Sequence, residues 1–357
     1  MEPVSLKRQG TTWVFVGSHG LRAGWSILFF AGLYYLFRFF IGTMFFTIGL
    51  VGEASGNSAA SMLTEESIPF FAVAGAMVVM SLIEGRKVFD YNLAGRCRAR
   101  NFFSGVAIGF AALTLLVGAL RWGGWLGFNS GTLLAAPQAF FLAATWGCTF
   151  LLVGFVEEGL FRCYAFFTLA RGLSFWWALA AQTAICFCLA LKPNALGAGG
   201  VYSIAALGLI PCYLLHKRRA SGSAFWQAAW VTSTFFAFYH TSNRGENLVG
   251  IFAVAAIGFA FCVSVRVTGS AWWAIGFHAA WDWGETFFYG TYDSGVSAKG
   301  HLLSAAPAGN ALWSGGADGP EGSLLVIAVI ALLLVFLVLV YGRGKARAAL
   351  LTMQTVN

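Results

Sequence analysis

Long apolar stretches alternate along this chain with short polar or basic connections. Ten of them are read as membrane-spanning helices: Ala23–Gly49, Ile68–Ile83, Phe102–Leu120, Ala139–Ala170, Leu173–Leu191, Val201–Leu215, Phe225–His240, Leu248–Val265, Ala271–Phe288 and Leu324–Val340. The fourth, about 32 residues or roughly 48 Å if straight, exceeds the hydrocarbon thickness, so it is tilted, kinked near Gly154 or Gly159, or partly outside lipid, and the sequence does not choose among these. The ninth is interrupted by His278, Asp282 and Glu285 and is too polar for an ordinary lipid-facing helix. Between spans, an acidic linker carries Glu53, Glu65 and Glu66. A basic connection from Arg86 to Arg100, which also holds Asp90 and Tyr91, reads as a structured loop. The segment Tyr289–Gly322, rich in Gly, Ala and Ser, reads as either a substrate lid or a poorly ordered excursion.

Composition agrees with that pattern. Hydrophobic types make up 59% of the 357 residues and charged types 10%, as in a multi-span membrane protein rather than a soluble enzyme. The expected fold is therefore all-α: a polytopic membrane helix bundle of about ten transmembrane segments. The net charge of +8 does not indicate a nucleic-acid partner, because the basic residues cluster between apolar runs, where they encode topology. Of the 22 Lys and Arg residues, Arg121, Lys192, Arg244 and Lys299 fall in outer segments and Arg38 and Arg162 within spans, leaving 16 on the inner side. That bias predicts cytoplasmic N- and C-termini in a plasma (cytoplasmic) membrane, or in the endoplasmic reticulum membrane of a eukaryote. Membrane lipids are then the surrounding partner. The seven cysteines lie mostly in apolar spans at no zinc-like spacing and read as small buried hydrophobes.

The residues able to do chemistry are few. Glu157, Glu158 and Arg162 sit deep in the fourth span. In a helix Glu158 and Arg162 share a face, so the arginine can hold one carboxylate ionised, while Glu157 points about 100° away towards another partner. His240 closes the aromatic run from Phe235. His278 and Asp282 are again four apart, on one face, where a carboxylate can hold a histidine in one tautomer or both can meet a shared water or metal. Convergence of these groups offsets their burial by mutual pairing. Such a set supports amide hydrolysis, with a carboxylate taking a proton from water and delivering it to the leaving amine, and a histidine assisting. No cofactor is required by this reading. A divalent metal such as zinc, held by Glu157, His240, His278 and Asp282, is the metal-assisted version of the same chemistry. The chain has no His-Glu-x-x-His helix, and Phe128 stands before Asn129-Ser130-Gly131 where a Gly-x-Ser-Gly serine signature needs glycine.

The three ordered elements Glu157-Glu158-x-x-x-Arg162, Phe236-x-x-x-His240 and His278-x-x-x-Asp282 resemble the motifs of the CAAX-protease and bacteriocin-processing (CPBP) family, the Rce1-like or Abi-type intramembrane proteases. The run from Thr268 to Trp281 resembles the usual surroundings of the third motif. The resemblance implies a catalytic helical core over residues 137–288. Residues 1–136 would then be N-terminal spans with the basic cytoplasmic loop, and residues 289–357 a long extracytoplasmic loop, a final span and a basic tail. It implies an intramembrane endopeptidase acting on a membrane-associated or lipidated protein or peptide. Glu157 would activate water with His240, His278 and Asp282 would hold the oxyanion, and Glu158 and Arg162 would orient the site. The third motif often ends in Asn where this chain has Asp282, which donates a hydrogen bond only when protonated. Noncatalytic immunity, scaffold or maturation factors are the alternative the same family contains.

Overall fold

The computed structural model describes residues 12–17, 20–52, 58–95, 97–129, 134–191, 197–219, 222–243 and 245–342. Lys7, Arg8, Glu53, Arg96, Ser130, Lys192, Arg244, Arg343, Lys345 and Arg347, which entered the charge and motif reading, lie outside the described residues. Among the described residues ten longer helices carry the bundle: α1 (Ala23–Thr47), α2 (Ala59–Glu84), α3 (Arg98–Trp122), α4 (Ala136–Glu158), α5 (Phe175–Leu191), α6 (Gly197–Lys217), α7 (Ser223–His240), α8 (Leu248–Thr268), α9 (Trp272–Trp283) and α10 (Leu324–Phe336). Three helices widen into π turns, at Gly159–Ala165 after α4, Gly284–Tyr289 after α9 and Leu337–Gly342 after α10. The regular sheet near the site is a two-stranded antiparallel ribbon of β1 (Leu126–Phe128) and β2 (Ala305–Pro307).

Seven of these elements are long and apolar enough to cross a membrane, which makes the chain a multi-pass membrane protein: α1, α2, α3, the α4 element through Ala170, α6, α8 and α10 with its π turn. The sequence leads one to expect about ten crossings; among the described residues seven elements have this length and apolarity. The three left out have identifiable reasons. Helix α5 has 17 residues, and α7 buries Gln227, Thr232, Ser233 and Thr234 inside the protein. Helix α9 has 12 α-helical residues and carries His278 and Asp282. Helices packed among other helices need no lipid-compatible surface. The side on which each terminus lies rests on the charge pattern alone.

Two connections differ from the sequence reading or decide between its alternatives. Glu65 and Glu66 belong to α2 rather than to a linker. The helix starts earlier because Ser58 caps it, its hydroxyl accepting from the Ser61 backbone N–H in a reciprocal capping box. The segment 289–322 is an ordered cap, not a loose excursion. Leu302 and Leu303 donate backbone hydrogen bonds to the carbonyls of Phe287 and Phe288, β2 pairs with β1, and Trp313 stacks on Trp125 at 5.1 Å. Burial of aromatic area and a paired strand edge hold the segment in place despite its Gly and Ser content.

The basic connection after α2 is structured, as its composition suggested. Buried Tyr91 donates to Glu84 at 3.2 Å, Tyr164 donates to the other oxygen of Glu84 at 3.1 Å, and Arg86 and Arg171 approach the same carboxylate. Asn92 and Leu93 accept from the Ala271 backbone and the Trp272 indole, so this loop pins the start of α9.

Helices α3 and α9 pack backbone against backbone. A Cβ on Gly105 or Gly109 would collide with the carbonyls of Trp273 and Phe277, and one on Gly276 with that of Phe102. Small residues spaced four apart permit this close approach, and it sets the position of His278 on α9. Gly109→Val is therefore expected to force the helices apart, at a cost of about 1–3 kcal/mol or more, and to lower any activity that needs His278. Gly118→Val on the same helix meets nothing within 4 Å and should leave both unchanged. Thermal unfolding of the two variants in detergent checks the contrast.

Candidate active site

The α4 helix delivers two adjacent carboxylates to different partners. Fully buried Glu158 accepts from Arg162 at 3.2 Å, one turn on. Its same oxygen accepts from Nδ1 of His278 at 3.0 Å. Glu157 turns away from that pair, as helical geometry requires, and points its Oε2 between two imidazoles. His278 Nε2 lies at 3.6 Å and His240 Nε2 at 3.9 Å. Asp282 Oδ2 reaches His278 Nε2 at 3.5 Å. The structure thus brings Glu157, Glu158, Arg162, His240, His278 and Asp282 to one place.

The backbone around the acids is not plain helix. From Gly159 the chain widens into a π turn, with the N–H of Phe166 bonded to the carbonyl of Phe161. The Arg162 carbonyl accepts from the Asn92 side chain at 2.7 Å. Wide turns of this kind are often found at functional sites.

Arg162 is fully buried, and rings cover the guanidinium not engaged by Glu158. Its central carbon lies 4.3 Å from the ring centre of Phe236, 5.3 Å from Phe261 and 5.7 Å from Phe161. Desolvated cation–π contacts of this type are worth about 2 kcal/mol or more. Gly258 on α8 leaves room for the head group, since a Cβ there would sit 2.5 Å from Nη2.

Hydrogen bonding orients both imidazoles. Nδ1 of His240 lies 2.9 Å from the Phe236 carbonyl, which can only accept, so Nδ1 carries the proton and Nε2 faces Glu157. Nδ1 of His278 donates to the arginine-paired Glu158, and its Nε2 faces Glu157 and Asp282. A simple drawing with helix ends level separates His240 from His278 in depth. Here the last residue of α7 meets the same carboxylate as the seventh residue of α9, so the helix ends are offset along the bundle.

A cavity of about 290 Å³ opens onto these groups. Glu157, His240, His278 and Asp282 line it with largely apolar walls, among them Phe150, Val153, Val254, Ile257 and Val326. Glu66 of α2 and Asp293, Ser294 and Glu321 of the cap complete it. Sequence reasoning missed these contributors. Glu66 was assigned to a linker, and Asn92, Gly258 and Phe261 carry no local signal, because their roles arise only where distant segments meet. Arg38, noted as a charge within the first span, donates to Tyr34 at 3.1 Å.

Glu157, His240, His278 and Asp282 are the residues that would hold a zinc ion in the metal-assisted version of this chemistry, each contacting N–O pair lying 3.5–3.9 Å apart.

Comparison with curated proteins and with solved structures found no match. Residues 137–222 and 218–284 match the family described as type II CAAX prenyl endopeptidase Rce1-like. The matched region contains all three motifs, and α4 through α9 are the elements that carry them. Residues 137–284 of this multi-pass membrane chain are therefore similar to the Rce1-like family.

Proposed function

We propose that the chain is an intramembrane endopeptidase that hydrolyses a peptide bond in a membrane-associated or lipidated protein or peptide. The observation that carries this reading is the placement of Glu157 Oε2, buried and without a hydrogen-bond partner, 3.6 and 3.9 Å from two imidazole nitrogens. Those gaps are too long for strong direct hydrogen bonds and short enough for one water to bridge. A water held there loses a proton to Glu157 as it attacks the carbonyl carbon, and His240, with Nε2 turned to the same point, assists. The proton then passes to the leaving amine.

His278 acts at the oxyanion. Glu158, paired with Arg162, accepts from its Nδ1–H, and a second proton on Nε2, beside Glu157 and Asp282, lets the imidazolium donate to the developing charge. Asp282 touches that nitrogen and steadies the ring, so its role differs from the hydrogen-bond donation an asparagine would supply. Support for an apolar or lipidated substrate comes from the cavity wall, which is apolar away from the acids. This reading requires no metal, and zinc held by Glu157, His240, His278 and Asp282 is its metal-assisted alternative.

Purified protein reconstituted in lipid should cleave a lipidated peptide faster than the same peptide without lipid. Cleavage should persist after thorough chelation. Equal rates on both peptides would overturn the substrate class, and activity lost to chelator and restored by zinc would overturn the metal-free mechanism.

A separate expectation concerns pH. Glu246, in the connection before α8, lies beside Asp318 of the cap; burial first, then the neighbouring Asp318, pushes its carboxyl up to about 10. Burial, with Glu321 nearby, moves Asp318 up to about 8. Raised folded-state values mean that the folded protein keeps protons the unfolded chain releases. Their stabilisation is complete below the ordinary carboxylate range and is lost as pH rises towards 8 and above. Glu246→Gln should therefore flatten the fall in unfolding temperature between pH 5 and pH 8.5. An unchanged slope would contradict it.

A further inference from the structure

Outside the motif residues, a second acidic group lies where the cap meets the bundle. Glu285 sits on the π turn that extends α9, Asp293 follows four residues after that turn's end at Tyr289, and Glu321 sits on the short 3-10 turn before α10. One carboxylate oxygen from each lies within 4.8 Å of the others. Proximity of acids alone identifies no site. The independent observation is Glu285 itself, which is fully buried with neither oxygen accepting a hydrogen bond. A buried carboxylate in that condition is costly unless a cation or proton meets it. None of the ion pairs among the described residues involves Glu285, Asp293 or Glu321.

The other two acids are held in place. Asp293 accepts from the Thr286 hydroxyl at 2.9 Å, and one oxygen of Glu321 accepts from both the backbone N–H and the hydroxyl of Ser294, at 2.6 and 2.5 Å. Three oxygen donors are thereby presented from both ends of the cap with no nitrogen or sulfur ligand among them.

We propose that Glu285, Asp293 and Glu321 form a binding site for a hard divalent cation, calcium by ligand chemistry. Calcium takes six to eight oxygen ligands, carboxylates among them, in flexible geometry, whereas magnesium demands a near-ideal octahedron and usually keeps several waters; three carboxylates brought together from separate segments suit calcium. An all-oxygen donor set also favours calcium over zinc. The bound ion would tie the cap to the end of α9, three residues beyond Asp282. It would also sit at the wall of the cavity, which Thr286, Asp293, Ser294 and Glu321 line. Calcium would therefore govern how firmly the cap closes over the cavity, whether or not the chain cleaves peptides.

The test uses full-length protein in detergent, stripped with chelator and titrated with calcium chloride by calorimetry and by thermal unfolding. Wild type should show one saturable calcium event up to about 1 mM, the range of extracellular calcium modules, and a higher unfolding temperature when loaded. Asp293→Asn and Glu321→Gln lie in the cap and should each weaken calcium at least tenfold, whereas Glu157→Gln should bind it as wild type does. Glu285→Gln should abolish binding if it folds. Absence of a saturable event in wild type, binding unaltered in both cap variants, or tighter binding of magnesium than of calcium would each overturn the assignment.

Discussion

Glu157→Gln is expected to lower peptide cleavage by about 10²–10⁴-fold, the usual worth of a positioned general base, while leaving the protein folded. The substitution preserves shape and removes only the ability to accept a proton. Glu157 is partly accessible from the cavity, and its carboxylate is not the one paired with Arg162. His240→Ala should lose activity on a similar scale. Because the two groups would act on one water, the double variant should lose little beyond the worse single one. The measurement is kcat/KM for a lipidated peptide in proteoliposomes, with unfolding temperature as the control for folding. Full activity in both single variants would end the proteolytic reading.

Arg162→Ala should act on the fold itself. It strips the arginine from a fully buried Glu158 and leaves that carboxylate with His278 alone. Breaking a buried pair by removing one partner costs about 3–5 kcal/mol, and here the aromatic contacts with Phe236, Phe261 and Phe161 are lost as well. The variant is expected to unfold at much lower temperature or to fail to accumulate in membranes. Arg162→Lys keeps the charge but not the planar fork or the ring stacking, and should fall between alanine and wild type. An Arg162→Ala protein as stable as wild type would mean that Glu158 is not held by this pairing.

Some of this was readable along the chain. Apolar stretches located the helices to within a few residues for most of the bundle, because a lipid surround leaves few alternatives to helix. Four-residue spacing put Glu158 with Arg162 and His278 with Asp282, since helical neighbours are set by backbone geometry. The adjacent Glu157 had to point elsewhere for the same reason. One feature was misread. Ser58 extends α2 through the acidic stretch, so capping outweighed local composition there. For the Gly-rich segment the sequence left a lid and a loose excursion both open, and the ribbon and the Trp125–Trp313 stack, which hold it as a cap, decide against the excursion.

What the sequence by itself determined, then, was the helical membrane character of the chain, the rarity of its buried ionisable groups and which of them share a helix face. Only the tertiary structure decided that Glu157 lies between the nitrogens of His240 and His278. It alone showed that Gly105, Gly109 and Gly276 let α9 approach α3, that rings from α7 and α8 enclose Arg162, and that both ends of the cap bring acids to Glu285. The reason is physical. Periodicity specifies direction around one helix axis, whereas distances between helices depend on how closely their backbones can pack and how far their ends are offset.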